Sequence, residues 1–297
     1  MDRNKLTILA TADLHYNIGR SREPTEALAR RVCATRADAL VLAGDTAGAD
    51  WEALRDCLTL FAPFRGRKLL VPGNHCLWCQ GQEDSMTRYR QTLPAVAAEA
   101  DFSVLDHEPV TIGRVGLAGS VGWYDYSFRQ RSLGIPLEFY RAKVAPGAAA
   151  YYSEHRTLVA RHAEQLTDAH YDITARWMDG QHIRLPITDE QFVAQLADSL
   201  ADQLSDLAAR VDRIAVFMHH LPFEQLVPRA RPAKFQFAAA YMGSAKLGQV
   251  LSAEPKVRYV VCGHSHWPAR QRVGHIHAIN IGSTYTEKHL EILEMDA

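Results

Sequence analysis

Apolar residues along the chain fall into short runs separated by helical spacings. "KLTILATAD" (5–13), "ADALVLAGD" (37–45) and "RKLLVPGNH" (67–75) are aliphatic and β-branched, and each predicts a strand. Between them, "PTEALARRVCATR" (24–36) and "DWEALRDCLTLFAPF" (50–64) place apolar residues at helical spacing, with Pro24 expected in a first helical turn. Strand, helix, strand, helix, strand predicts right-handed crossovers and parallel pairing. The strands are nearly continuous in apolar character, which predicts cover on both faces.

The rhythm changes after residue 108. "PVTIGRVGLAGSVGWYDYS" (109–127) reads as a hairpin or meander turning at Gly113-Arg114. Residues 128–187 show no strand rhythm and are rich in Arg, His, Tyr and Ala, which predicts a mostly helical insertion within one domain spanning 1–297. A helix is expected from Thr188, with Gln191 completing a capping box. Its stripe of Phe192, Leu196, Leu200, Leu204, Leu207 and Val211 reads as core. Strands return at 213–220, 257–266, 273–283 and 289–295.

Composition narrows the classes. The chain has 297 residues, 47% hydrophobic and 23% charged, as in ordinary soluble domains. A net charge of −1 gives no reason to expect a nucleic acid or an acidic membrane as partner. No apolar run is long enough for a membrane span, and the N-terminal run is too short for a signal segment. The five cysteines have no disulfide-framework spacing. The expected location is cytoplasmic.

The ends of the strands carry the chemistry. They close in Asp13-Leu-His15, Gly44-Asp45, Gly73-Asn74-His75, Met218-His219-His220 and Gly263-His264-Ser-His266. Ligands of open α/β sheets bind beyond the carboxyl ends of the strands. Glycine before such a residue lets the backbone approach the site closely. If strand geometry persists, alternation sends both outer side chains of Asp-x-His and His-x-His to one face. Five such ends in order point to metal ligation.

In this order, across residues 13–266, the motifs resemble those of the calcineurin-like metallophosphoesterase superfamily. The resemblance implies a four-layer α-β-β-α sandwich of two mixed sheets with a dinuclear metal centre. It implies that Asp13, His15 and His266 hold one ion, that Asn74, His219 and His264 hold the other, and that Asp45 bridges them. His75 matches the catalytic histidine. The implied reaction is hydrolysis of a phosphodiester or phosphomonoester, a nucleotide-like one among the candidates, by in-line attack of a metal-bound hydroxide. The 128–187 insertion is expected to cap the site and set substrate choice. Elementary electrostatics agrees with the implied chemistry: two divalent ions contribute about +4 and two aspartates about −2, leaving a net positive site for phosphate. Two ions can also lower the pKa of a water from about 15.7 toward about 7. Carboxylate, amide and imidazole without thiolate suit Mn, Fe or Zn.

Some choices stay open. "MHHLP" offers two histidines, of which the family pattern selects His219 over His220. Cys76 stands where the family often has an acid, and with Cys79 it forms a C-x-x-C for which incidental loop thiols or a redox or zinc role are alternatives. "GWYDYSFRQR" (122–131) and "PRARPAKFQF" (228–237) combine aromatics with arginines. Trp123, Tyr124, Arg129 and Arg131 are candidates for substrate contact; alternatively the aromatics, with Tyr126, are core and the arginines a solvated rim. Asn280-Ile-Gly-Ser283 matches a family turn, and His275 and His277 read as structural. A non-catalytic scaffold and a phosphoprotein phosphatase are the alternative functions.

Overall fold

In a computed structural model that describes residues 5–229 and 232–296, β1 (Lys5–Thr11), β2 (Ala39–Ala43) and β3 (Arg67–Val71) pair in parallel. Met1–Asn4 of the N-terminal stretch, and Ala230 and Arg231 of the 228–237 stretch, lie outside the described residues. β4 (Phe102–Val104) joins β3 in parallel, and β11 (Glu291–Asp296) lies antiparallel to β1. The first sheet is therefore ordered β11-β1-β2-β3-β4. The second contains β5 (Val110–Ile112), β6 (Val115–Ser120), β7 (Arg213–Met218), β8 (Val257–Cys262), β9 (Ala269–Val273) and β10 (Ile276–Asn280). Its order is β5-β6-β7-β8-β10-β9, with antiparallel pairs only at the two edges.

Side-chain alternation builds the layers. Ile8, Ala10, Val41, Leu69 and Val71 meet Leu117, Phe217 and Val261 between the sheets. The opposite face of the first sheet, with Leu9, Leu40, Leu42 and Leu70, packs on α1 (Gly19–Ala34), α2 (Trp51–Thr59) and α3 (Leu93–Glu99). That of the second, with Ile214, Val216 and Val260, packs on α4 (Asp189–Ala208) and α5 (Ala245–Ala253). This is the α-β-β-α sandwich. Both faces of the central strands are covered, which is why their sequences are apolar almost throughout.

Local signals fix the element boundaries. Asp50 accepts from the Glu52 and Ala53 amides at 3.0 and 3.2 Å and starts α2. Thr188 and Gln191 satisfy each other's backbone amides at 3.2 and 2.9 Å, forming the expected capping box. Gly113, at φ +59°, makes the β5–β6 turn. The start of α1 differs from expectation: the helix begins at Gly19, so Pro24 lies inside it. Its missing N–H forgoes one hydrogen bond. Between β6 and α4 the chain forms short helices at Leu137–Arg141, Pro146–Tyr151, Arg156–Arg161, Asp168–Tyr171 and Asp179–His182. No helix among the described residues is long and apolar enough to cross a membrane.

Every expected stripe residue is buried, with Leu200 at 1% exposure, although α4 ends at Ala208 and Val211 lies beyond it. Leu200→Ala is expected to cost roughly 2–5 kcal/mol through lost burial and a residual cavity. The shift in chemical-denaturation free energy measures it, and a loss below about 1 kcal/mol would exclude a core role for the stripe.

Candidate metal centre

The carboxyl ends of β1, β2, β3, β7 and β8 meet at one end of the sandwich. The loops after β1 and β2 are laced by backbone hydrogen bonds, Asp13 N to Gly44 O at 3.0 Å, His15 N to Asp45 O at 2.8 Å and Tyr16 N to Thr46 O at 2.9 Å. The strands stop before the motifs, so alternation is not what aligns the side chains. Asp13, His15, Asp45, His264 and His266 instead adopt left-handed backbone conformations, with φ between 44° and 71°. Asp and His enter this region more readily than most residues. Such conformations cost roughly 1–3 kcal/mol each and need surrounding structure to hold them.

Close approach also constrains the neighbours. Gly44 has φ +94°, and a Cβ there would strike the His219 ring. At Gly73 a Cβ would collide with the side chain and backbone nitrogen of Asp45. The small residues in these motifs are thus required by a side chain of a neighbouring strand end as well as by the local turn.

Three overlapping donor groups result, one of them His15, Asp45 and His75. Asp13, His15 and His266 bring one ligand atom each to within 4.8 Å of one another, and so do Asp45, His219 and His264. Asp45 Oδ2 lies between the clusters, 3.3 Å from His219 Nε2 and 3.6 Å from His15 Nε2. Asn74 Oδ1 adds to the second, 3.2 Å from His219 Nε2. All seven expected ligands are therefore brought together.

The hydrogen bonds fix the tautomers of the second cluster. His219 Nδ1 faces Ala43 O at 3.3 Å, and His264 Nε2 faces Tyr241 O at 3.1 Å. Carbonyls only accept, so these nitrogens donate and the lone pairs belong to His219 Nε2 and His264 Nδ1. Those two atoms lie 3.1 Å apart, beside an amide oxygen and a carboxylate oxygen. An acceptor-only group of this kind calls for a cation, and divalent ions fit its imidazole, amide and carboxylate chemistry. His220 points elsewhere: its Nδ1 donates to Val121 O at 3.0 Å, so His219 is the histidine in the cluster.

Without metal, charge balance falls to protons. Burial disfavours the charged form of His219, but the Asp45 and Asp13 carboxylates outweigh it and push the ring up to about 9. Burial also raises the Asp45 carboxyl, yet the surrounding imidazoles hold it well below the usual carboxylate range. His15 and His264 are lowered well below theirs, chiefly by burial. Burial lowers Lys288 to about 8, and its Nζ donates to Asp13 O at 2.6 Å.

His75 lies beside the clusters, its Nε2 3.9 Å from Asp45 Oδ2. Asn74 and His75 are on a 3₁₀ turn, not a continuing strand. The His75 ring stacks on Trp78 at 3.7 Å between centroids, and Trp78 stacks on His182 at 4.4 Å. Above the clusters opens a cleft of about 970 Å³, walled by residues that include Arg176, Trp177, Met178, Phe235, Met242 and Tyr285.

The aromatic candidates behave otherwise. Trp123 and Tyr124 are completely buried. Trp123 Nε1 donates to Asp189 at 2.7 Å and Tyr124 OH to Asp179 at 2.9 Å. They cannot receive a substrate from the cleft, which corrects that expectation; Tyr126 is likewise buried and donates to Asp189. Arg129 donates to Tyr126 O, Arg131 is exposed, and neither lines the cleft. Cys76 is buried and its thiol is pushed up to about 11 by burial; Cys79 contacts Ser85 at 3.3 Å, and both are free thiols. Neither joins a metal-donor group among the described residues. Asn280 donates to Ser265 at 2.6 Å and Ser283 accepts from His289 N, which braces the turn. His275 faces Glu254 O and His277 stacks on Tyr259, away from the clusters.

Sequence reasoning missed Asp179 and Arg88. Both are buried, and each joins segments far apart in sequence. Arg88 donates to Cys76 O, Gly48 O and Ala49 O, pairs with Glu83 and lies over the Trp51 ring. It thereby supports the loop carrying Asn74 and His75.

A family model for the calcineurin-like phosphoesterase matches residues 6–268. Among solved structures, a phosphopantetheinyl hydrolase from Mycobacterium tuberculosis is similar with a TM-score of 0.64 and 18% identity, over 95% of this chain and 91% of that one. A Thermus thermophilus protein gives 0.53 and 14%, over 98% of each chain. A dimetal phosphatase from Danio rerio gives 0.51 and 14%, over 95% and 88%. At these identities the likeness shows a shared fold. No curated protein matches the chain in sequence.

Two outcomes follow from the crowding and the charge balance. Gly73→Ala should displace Asp45 and lower metal content by about one ion or more per chain with circular dichroism retained, because a Cβ collides there. Full metal content in that variant would refute the packing argument. In metal-free protein His219 holds its proton below about pH 9. Metal uptake near neutrality should therefore release a proton, and apparent affinity should rise as pH approaches that value. Calorimetric titration in buffers of different ionisation enthalpy counts the protons; none released would show a neutral ring.

Proposed function

The chain belongs to the calcineurin-like phosphoesterase family, and from that membership we propose that it is a metal-dependent hydrolase of an organic phosphate ester. The observation that carries the reading is the acceptor-only donor set from five strand ends, with His75 beside it. Asp13, His15 and His266 would hold one divalent ion, Asn74, His219 and His264 a second, and Asp45 would bridge them. Bound there, two such ions supply Lewis acidity, acidifying a water and neutralising phosphate charge. Manganese, iron and zinc all suit the donors.

The chain's own residues supply the remainder. His75 is placed to steady charge on the phosphate or to protonate the leaving oxygen. Its ring is held by the face of Trp78 where relatives of the family often use a neighbouring acid; here Cys76 occupies that position. The Asp45 Oδ1 atom accepts from His75 N at 3.0 Å and fixes the backbone of the same turn.

The cleft favours an ester with a sizeable organic arm. Its volume of about 970 Å³ is far more than a phosphate group fills. Trp177, Met178, Phe235 and Met242 offer apolar contact, while Arg176 and Lys234 supply positive charge. Both faces of Trp78 are already stacked, by His75 and His182, so it offers no free face to a base. A phosphopantetheinyl ester, named for the Mycobacterium tuberculosis relative, is one ester of this class; a nucleotide is another. Residues 174–179 of the segment between β6 and α4 form one wall, and we read the 128–187 insertion as a cap that sets substrate choice.

A panel of phosphomonoesters, phosphodiesters and cyclic nucleotides, assayed with Mn and with chelator, tests the reading. We expect turnover that needs the metal. Hydrolysis of nothing with any metal would favour a non-catalytic scaffold, and selective turnover of phosphoproteins a protein phosphatase. His75→Ala should keep its metal and lower turnover by about 10²–10⁴-fold. Unchanged turnover in that variant would remove His75 from the mechanism.

A further inference from the structure

Asp179 is 1% exposed, opens the short helix Asp179–His182 of the insertion, and accepts four hydrogen bonds. Oδ1 accepts from Asn74 Nδ2 at 2.8 Å and Trp78 Nε1 at 2.6 Å. Oδ2 accepts from Tyr124 OH at 2.9 Å and Trp177 Nε1 at 2.7 Å. These donors come from the loop after β3, the loop after β6 and the cleft wall.

The two bonds on Oδ1 have a functional direction. Asn74 can ligate a metal only through its carbonyl oxygen, and its amide has two nearly isosteric orientations. With Nδ2 held by a carboxylate, Oδ1 must face His219 Nε2 and the second cluster. A carboxylate acceptor also draws electron density toward the amide oxygen and strengthens it as a donor to a cation. The same oxygen anchors the edge of Trp78, whose face supports His75.

We propose that Asp179 is a positioning residue of the active centre: a carboxylate of the insertion that orients Asn74 toward the second metal ion and Trp78 beneath His75. The proposal rests on the two-ion reading above. It makes the insertion part of the metal site as well as a wall of the cleft.

A double-mutant cycle on metal affinity tests it without recourse to turnover. Asp179→Asn removes the charge and one of the two acceptor oxygens, so the four donors around it can no longer all be satisfied. The second ion should bind about 10–100-fold more weakly while the first is kept. With manganese, the paramagnetic resonance spectrum should change from that of a coupled pair to that of a single isolated ion. In the same background, Asn74→Asp puts a carboxylate where the amide stood. The amide introduced at position 179 can donate to it, which restores the bond to residue 74 with reversed polarity while Trp78 Nε1 loses its acceptor. The double variant should recover second-ion affinity by at least about tenfold beyond the sum of the single changes.

Asp189→Asn is the structural control, because Asp189 binds Trp123, Tyr126 and Lys143 but no expected ligand. It should lower the denaturation midpoint and leave two ions bound. Unchanged second-ion affinity in Asp179→Asn, or strictly additive effects in the cycle, would overturn the role of Asp179 alone. If Asp179→Asn does not fold, the double variant decides: folding with two ions supports the proposal, and failure to fold or loss of the second ion overturns it. A parent protein that binds only one ion would overturn the two-ion reading and this proposal together.

Discussion

Electron-pair donors that converge on one place repel one another unless a proton or a cation lies between them, and most of this molecule is arranged around holding them together. His219 Nε2 and His264 Nδ1 lie 3.1 Å apart, and His15 Nε2 and His266 Nε2 3.3 Å apart. Five of the side chains involved stand on left-handed backbone, so conformational strain adds to the electrostatic cost. Two sheets packed face to face offset both. They fix the strand ends, and the backbone lacing between the loops after β1 and β2 leaves those turns no alternative path.

Much of this was legible because the strands announce themselves by apolar continuity and the expected ligands stand directly after them. The α4 boundary and the Gly113 turn were equally plain, being set by chemistry within a few residues. What escaped was information carried elsewhere. β4 is only three residues long, and β9, "ARQRV", is a polar edge strand with no apolar alternation to reveal it. Pro24 suggested a helix start because Pro suits a first turn, but the residues from Gly19 had already entered the helix. Alternation was the wrong reason for the right convergence: the chain leaves the strand before the ligands and turns left-handed.

The aromatic residues after β6 show a deeper limit. Nothing near Trp123 and Tyr124 distinguishes a stacking platform from a core residue. Their fate is decided by Asp189 and Asp179, 66 and 55 residues away. Two carboxylates buried in an aromatic layer require donors, and the indole N–H and phenol O–H groups supply them at an energy that unpaired burial would forfeit. The composition of 122–126 thus reflects the needs of acids in the insertion and in α4. Arg88 solves a similar problem in reverse, a buried cation satisfied by backbone carbonyls of two loops and one glutamate.

The wide sequence separation of the expected ligands also orders events in time. Asp13 accepts from the His264 backbone amide across 251 residues, and Asn74 bonds Asp179 across 105. Contacts of such high sequence separation form slowly, because a long loop must close before they return any stabilisation. On a ribosome the β1, β2 and β3 loops emerge long before β8, so Asp13, His15, Asp45 and Asn74 wait as an incomplete set of donors. Neither of the two proposed ligand sets is complete until the second sheet has docked, because each needs a histidine from beyond β7 or β8. Completion of the proposed metal site is therefore tied to the closing stage of folding.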